Sequence, residues 1–180
     1  MRRMSLAPVA AAMARLRKVL AHTPAVGQGP DTVAHVRWVR GLEFICEHDN
    51  GAQVGCDMPE VVGGGGGRVT PGWLFRAGLA ACTATTVAMR AGEAGIDLTR
   101  LEIDLGTTSD ARSLLDMKDD RGGEVRPGFY DIRMSVKVAA RGIEADRLRA
   151  LVAEWIACSP SQQTVAHGSP IAIPIDVEVA

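Results

Sequence analysis

Four cysteines, Cys46, Cys56, Cys82 and Cys158, are the side chains of this sequence best suited to chemistry of their own. No two are spaced as C-x-x-C and the four histidines are scattered, so the pattern of a metal site is missing. What remains is thiol chemistry, in which a thiolate acts as nucleophile or exchanges with a disulfide. Cys46 and Cys56 fall in strand-like stretches, LEFICEH and AQVGCD, where a cysteine is most often a small buried hydrophobe. Cys82 sits in AACTATT, inside a helix-like run, and Cys158 in ACSPSQQ, at the last turn of another. Both lie where helices meet the interior, so these two thiols are able to approach each other. On the residues alone, two inert core cysteines remain the competing reading.

A second candidate is VVGGGGGRVTPGWLFRAG, residues 61–78. A phosphate-binding loop needs glycines followed by a Lys and a Ser or Thr at fixed spacing. Here Arg68-Val69-Thr70 follows the run and no Lys is present. The dinucleotide pattern G-x-G-x-x-G fails as well, because its last position is Arg68. The run is therefore a turn, with Thr70 as N-cap and Pro71 as first residue of the next helix. Its glycines let the backbone pass close to that helix or to a ligand mouth, and no bound cofactor is expected.

These candidates belong to a chain of 180 residues, enough to bury a core without metal or disulfide staples. Twenty basic and 21 acidic residues leave a net charge of -1, which argues against nucleic acid as partner. Apolar residues make up 47% and aromatics only 4%, so Ala, Val, Leu and Ile must build the core. No apolar run is long enough to span a membrane. The start, MRRMSLAPVAAAMARLRKVL, has the basic front and Ala-rich middle of a secretion signal, but Arg15, Arg17 and Lys18 interrupt it. An amphipathic helix from about Pro8 to Leu20 fits better, with Val9, Met13, Leu16 and Leu20 on one face. The expected compartment is the cytoplasm, where thiols stay reduced unless used.

The elements that must position the cysteines follow from periodicity. A Pro/Gly-rich connector, residues 22–32, joins the first helix to the body. Three short strands, 33–40, 42–48 and 52–57, follow, the last two joined at His48-Asp49-Asn50-Gly51. Pro71 to about Gly95 is a long helix, then Leu101 to Leu105 alternates as a strand. Residues 107–128 are polar and broken by glycines and Pro127, as expected of a mobile loop. Phe129 to Ala139 alternates cleanly, with Tyr130, Ile132, Met134, Val136 and Val138 inward. Residues 144–158 form an amphipathic helix with the stripe Leu148, Leu151, Val152, Trp155 and Ile156, and IAIPIDVEV closes the chain as a strand. This order is not strict βα alternation; it predicts an α+β fold with mostly antiparallel pairing and helices on one face. The helix segment 77–89 is apolar on every side, so a second subunit is expected to help bury it.

In order along the chain stand Asp57-Met58-Pro59, Gly63-Gly64, Pro71, Leu74 to Cys82, a strand pair, and a helix ending in Cys158 near Pro160. This ordered set resembles the OsmC/Ohr superfamily. The resemblance covers residues 31–180 and leaves 1–30 as an N-terminal helical extension and linker. It implies an OsmC-like fold of antiparallel sheets around a buried central helix, assembled as an intertwined homodimer. It also implies a chemistry: Cys82 attacks the O–O bond of a small organic hydroperoxide and becomes a sulfenic acid. Cys158 condenses with it to a disulfide, and an external dithiol or lipoyl-type reductant reopens the bond. An Arg from the early strands favours the thiolate; Arg40 is the nearest match, Arg37 the next, and Arg76 a further cation on the central helix.

One position departs from that pattern. Family peroxidases carry a Glu just after the Pro that opens the central helix, whereas this chain has Gly72; Glu60 is the nearest acidic substitute in sequence. The Pro-Gly start resembles an OsmC-like subgroup, which leaves two functions open. Retention of Cys82 and Cys158 favours a peroxidase in oxidative-stress defence. Gly72 favours a non-catalytic relative that binds a small apolar ligand.

Overall fold

His35–Arg40 (β1), Glu43–Glu47 (β2) and Gln53–Cys56 (β3) form an antiparallel sheet in the computed structural model, which describes residues 5–179. Residues 1–4, the basic front noted above, and residue 180 lie outside the described residues. Gly41, at φ 47°, turns β1 into β2, and Gly51, at φ 88°, turns β2 into β3, a conformation glycine adopts without steric cost. The Asn50 side-chain oxygen accepts from the Ala52 N–H at 2.9 Å and tightens that second turn. Register pairs Trp38 with Phe44, Phe44 with Cys56, and Cys46 with Val54. Cys46 and Cys56 therefore project from the same face of neighbouring strands.

Ahead of this sheet runs a helix, Ala7–His22 (α1), longer at both ends than its periodicity indicated. Its N-cap Leu6 and its Val9 pack over Gly92, where an added Cβ would meet both at 3.4 Å. Arg17 pairs with Glu93 and ties the middle of α1 to the end of the next helix.

That next helix, Pro71–Glu93 (α2), starts as expected: the Thr70 hydroxyl oxygen accepts the Trp73 N–H at 3.1 Å, with Pro71 at the first position. Its buried residues Leu79, Thr83, Val87 and Ala91 form one stripe, spaced four apart, with Gly92 buried beside the last. Leu98–Thr108 (β4) and Tyr130–Ala140 (β5) form a second antiparallel pair, with Ile103 opposite Val136 and Leu105 opposite Met134. Ala145–Ile156 (α3) sends Leu148, Val152 and Trp155 inward, and Pro160–His167 (α4) follows after a short break. The core is the cluster of Val87, Ala91, Leu148, Val152 and Trp155, closed by Leu101, Val136 and Val138 from the second sheet.

Three expectations need correction. Residues 107–128 are not a featureless loop: β4 continues to Thr108 and a 3-10 helix spans Ala111–Leu115. Arg112 bridges Asp110 and Asp120, and the Asp119 carboxylate accepts the Arg121 and Gly123 N–H groups, so local polar pairing organises the segment. The closing stretch IAIPIDVEV forms no strand; its Ile171 is 82% and its Ile175 79% exposed, and Pro174 deprives it of a donor. Finally, α3 ends at Ile156, so Cys158 lies beyond it rather than in its last turn.

The glycine run has a structural cause. Gly63 to Gly66 fold over Met58 and the buried Asp57, whose carboxylate accepts the Met58 N–H at 2.7 Å and the Gly65 N–H at 2.8 Å. A Cβ on Gly64 would lie 1.8 Å from the Met58 carbonyl oxygen. Only glycine fits there.

Candidate functional site

The central helix presents Thr83 to the core and Cys82 to one side of it, facing the start of α4. Here a proline shapes the backbone: Pro160 cannot continue α3 but suits the first position of a new helix. The break at Ala157 to Ser159 lets the chain turn, so that Ser159 becomes the N-cap of α4 and Ser161 its second helical residue.

Ser159 is fully buried yet makes no side-chain bond to its own helix. Its hydroxyl instead donates to the Cys82 sulfur at 3.6 Å and lies 3.3 Å from the Thr83 hydroxyl. Thr83 donates its own proton to the Leu79 carbonyl at 2.9 Å, so Ser159 has one proton to share between sulfur and oxygen. The backbone N–H of Ser161, in the first turn of α4, also favours the Cys82 thiolate. Burial pushes the Cys82 thiol up. The Ser161 hydroxyl and N–H and the Ser159 hydroxyl more than offset this, and the thiol sits below its ordinary value. A sulfur at a helix N-terminus has this property for a general reason: free N–H groups and the helix dipole favour the thiolate.

Cys56 has the opposite setting. Its burial pushes the thiol up, and the neighbouring Cys46 and Asp57 add to the effect, so it stays protonated. All four cysteines are free thiols.

The structure brings Cys82 together with Ser159 and Ser161, and leaves the other sequence-derived residues elsewhere. Cys158 is exposed, and its Sγ points back to the Glu154 carbonyl at 3.8 Å. Arg40 lies on the surface of the first sheet, its side chain 84% exposed and paired with Glu43 at 3.0 Å. Glu43 also receives Arg68 at 2.9 Å, while Arg37 pairs with Glu47 at 3.4 Å. Arg76 donates to the Thr107 hydroxyl at 3.2 Å. Within a single chain, the groups that favour the Cys82 thiolate are thus hydroxyls and a helix start.

Gly72 has its own explanation. A Cβ there would lie 3.0 Å from the Phe129 ring, which itself stacks on Phe75 with centroids 5.2 Å apart. The start of α2 is covered by an aromatic ring. Ser159 and Ser161 carried no signal of their own in the sequence. The one available cue was Ser-Pro, an N-cap and first-turn pair that marks a new helix after Cys158.

On the other side of α2, a cleft of about 680 Å³ opens towards β4 and β5, lined by Trp73, Ala77, Ala80, Ile103, Leu105 and Met134 among others. Cys82 is not part of its wall. No helix among the described residues is long and apolar enough to cross a membrane.

With the fold and this thiol on the page, comparison places the chain. The family described as OsmC-like protein matches residues 64–173, so the chain belongs to the OsmC-like family. Among solved structures it is similar to an organic hydroperoxide resistance protein OsmC from Legionella pneumophila, with 22% identity and a TM-score of 0.55 over 78% of this chain and 92% of that one. The OsmC-like protein from Mycoplasma pneumoniae has 13% identity and a TM-score of 0.63, over 78% and 91%. An OsmC-like protein from Vibrio cholerae has 14% identity and a TM-score of 0.60, over 76% and 94%. At these identities the likeness is one of fold. No curated protein matches the chain.

Proposed function

We propose that this protein is a thiol-dependent peroxidase that reduces small organic hydroperoxides at Cys82 and serves in oxidative-stress defence. The observation that carries the reading is the half-buried Cys82 thiol, held below its ordinary pKa at the start of α4. The thiolate attacks the distal oxygen of the hydroperoxide; the O–O bond breaks and the alkoxide leaves with a proton as the alcohol. Sulfur is oxidised by two electrons to a sulfenic acid and the peroxide is reduced by two.

Cys158 is the proposed resolving thiol. It condenses with the sulfenic acid, releases water and forms the Cys82–Cys158 disulfide. For this it must turn inward from its exposed position, because a disulfide needs Cα atoms within about 7 Å. The short Ala157 to Ser159 break is where that turn takes place. An external dithiol of the lipoyl type then reopens the bond by exchange, and no bound cofactor takes part.

The proposed assembly is a homodimer in the cytoplasm, with residues 31–180 as the OsmC-like domain and 1–30 as its extension. What supports a second copy is the apolar surface a single chain leaves open: Val36 is 60% and Trp38 67% exposed on β1. Arg40 is the proposed cation that favours the Cys82 thiolate. A second reading, binding of a small apolar ligand without catalysis, is favoured by the cleft beside α2, which Cys82 does not line. Steady-state turnover of cumene hydroperoxide with a dithiol separates the two. The peroxidase reading expects turnover that Cys82→Ser abolishes; no turnover in the unaltered protein supports the ligand-binding relative.

A further inference from the structure

Ser161 holds a buried hydroxyl oxygen that has no hydrogen-bond partner among the described residues. Buried hydroxyls are seldom left this way, since an unmade bond costs the desolvation of the group. It favours the Cys82 thiolate, although no hydrogen bond ties it to the sulfur or to any other described residue. Ser159, the neighbouring hydroxyl, is buried too and has diverted its capping capacity to the same sulfur. Two hydroxyls and one helix N–H therefore favour the Cys82 thiolate, and of the two hydroxyls only that of Ser159 is hydrogen-bonded to the sulfur.

We propose that Ser159 and Ser161 are a hydroxyl clamp for the oxidised form of Cys82, with Ser161 donating to the oxygen that a hydroperoxide leaves on the sulfur. The inference rests on the peroxidase reading and adds residues that it did not contain. In the reduced protein Ser159 holds the sulfur, and its proton is shared with Thr83. When the sulfur becomes a sulfenate, its oxygen extends the site by one atom and offers the acceptor that Ser161 lacks. Bonds to a charged acceptor are the stronger kind, so the clamp favours sulfenate over reduced thiol. Donation to the oxygen also draws electron density from the sulfur, whose lone pair would attack a second peroxide. The clamp thus protects the intermediate from further oxidation to sulfinic acid until a thiol arrives.

The test uses the Cys158→Ser protein, in which Cys158 cannot consume the sulfenic acid, with hydrogen peroxide as oxidant so that hydroperoxide selectivity is not required. A dimedone trap reads the lifetime of the Cys82 sulfenic acid, and mass spectrometry of the Cys82 peptide reads sulfinic acid. Removing a hydrogen bond to a charged group changes an equilibrium by about tenfold or more. Ser161→Ala is therefore expected to shorten the sulfenic lifetime, or raise the sulfinic yield, by about tenfold, while Ser161→Thr, which keeps the hydroxyl, restores it. Circular dichroism of each variant reports whether α4 is still formed. An unchanged lifetime in a folded Ser161→Ala overturns the clamp and leaves the peroxidase reading standing. A Ser161→Thr variant that behaves like Ser161→Ala also overturns it, since the effect is then one of packing. If Cys82 forms no sulfenic acid with the serines intact, both fall.

Discussion

The hydroxyl of Ser159 donates to the Cys82 sulfur at 3.6 Å, across 77 positions of sequence. That contact joins the middle of α2 to the N-cap of α4, whose hydroxyl goes to the sulfur instead of to its own helix. A cap of the usual kind is worth about 1 kcal/mol, so α4 gives up some local stability to hold the thiol.

The first prediction concerns reactivity. The Cys82 pKa is lowered, so its thiolate persists to lower pH than that of an ordinary cysteine, while Cys56 is raised and stays protonated. Iodoacetamide labelling across a pH series should modify Cys82 at a lower midpoint than Cys56, and Ser159→Ala should move the Cys82 midpoint up. Labelling of Cys56 ahead of Cys82 contradicts this.

The glycine run yields a contrast between two substitutions. Gly64→Ala puts a Cβ 1.8 Å from the Met58 carbonyl oxygen, whereas Gly67→Ala meets nothing within 4 Å. The first should cost more than about 1 kcal/mol in urea unfolding and the second should stay within about 0.5 kcal/mol. Equal effects would mean the glycines are not needed for close approach. Neither ATP nor NAD should shift the melting temperature, because the loop encloses Asp57 and presents no phosphate cradle.

Trp155, 3% exposed, anchors α3 on α2 in the core cluster. Trp155→Ala should lose about 3–5 kcal/mol by the usual cost of emptying a large buried site. A loss under 1 kcal/mol in chemical denaturation would place the core elsewhere.

The exposed apolar face of β1 and the unpaired Ile171 to Val177 lead to a prediction on assembly. Light scattering at micromolar concentration should find a dimer, with more than about 2,000 Å² buried in total, the range of obligate interfaces. A folded, monodisperse monomer speaks against it.

Much of this architecture was legible in the residues. Asn50-Gly51, the Thr70-Pro71 helix start and the alternation in β4 and β5 are local signals whose physics does not depend on distant partners. Cys82 was legible for a different reason: a thiol inside an Ala/Thr-rich helix stands out by type. What the sequence hid were relationships of rotation and pairing. Ending α3 two residues before Cys158 and restarting at Pro160 turns the chain, so that Ser159, not Cys158, meets the sulfur. The alternation of the last nine described residues, 171–179, signals a strand, but a strand needs an edge to pair with, and a single chain does not show which. Asp110, Arg112 and Asp120 organise a segment whose composition alone reads as loop.

The account stands most directly on the fate of one thiol. One equivalent of cumene hydroperoxide is added to the fully reduced protein, and each cysteine peptide is mapped by mass spectrometry. The prediction is that Cys82 is oxidised first and joins Cys158, with Cys46 and Cys56 left reduced, and that in Cys158→Ser the oxidation halts at a trappable Cys82 sulfenic acid. A Cys82 that reacts no faster than Cys46, with no disulfide and no sulfenic acid, would contradict it.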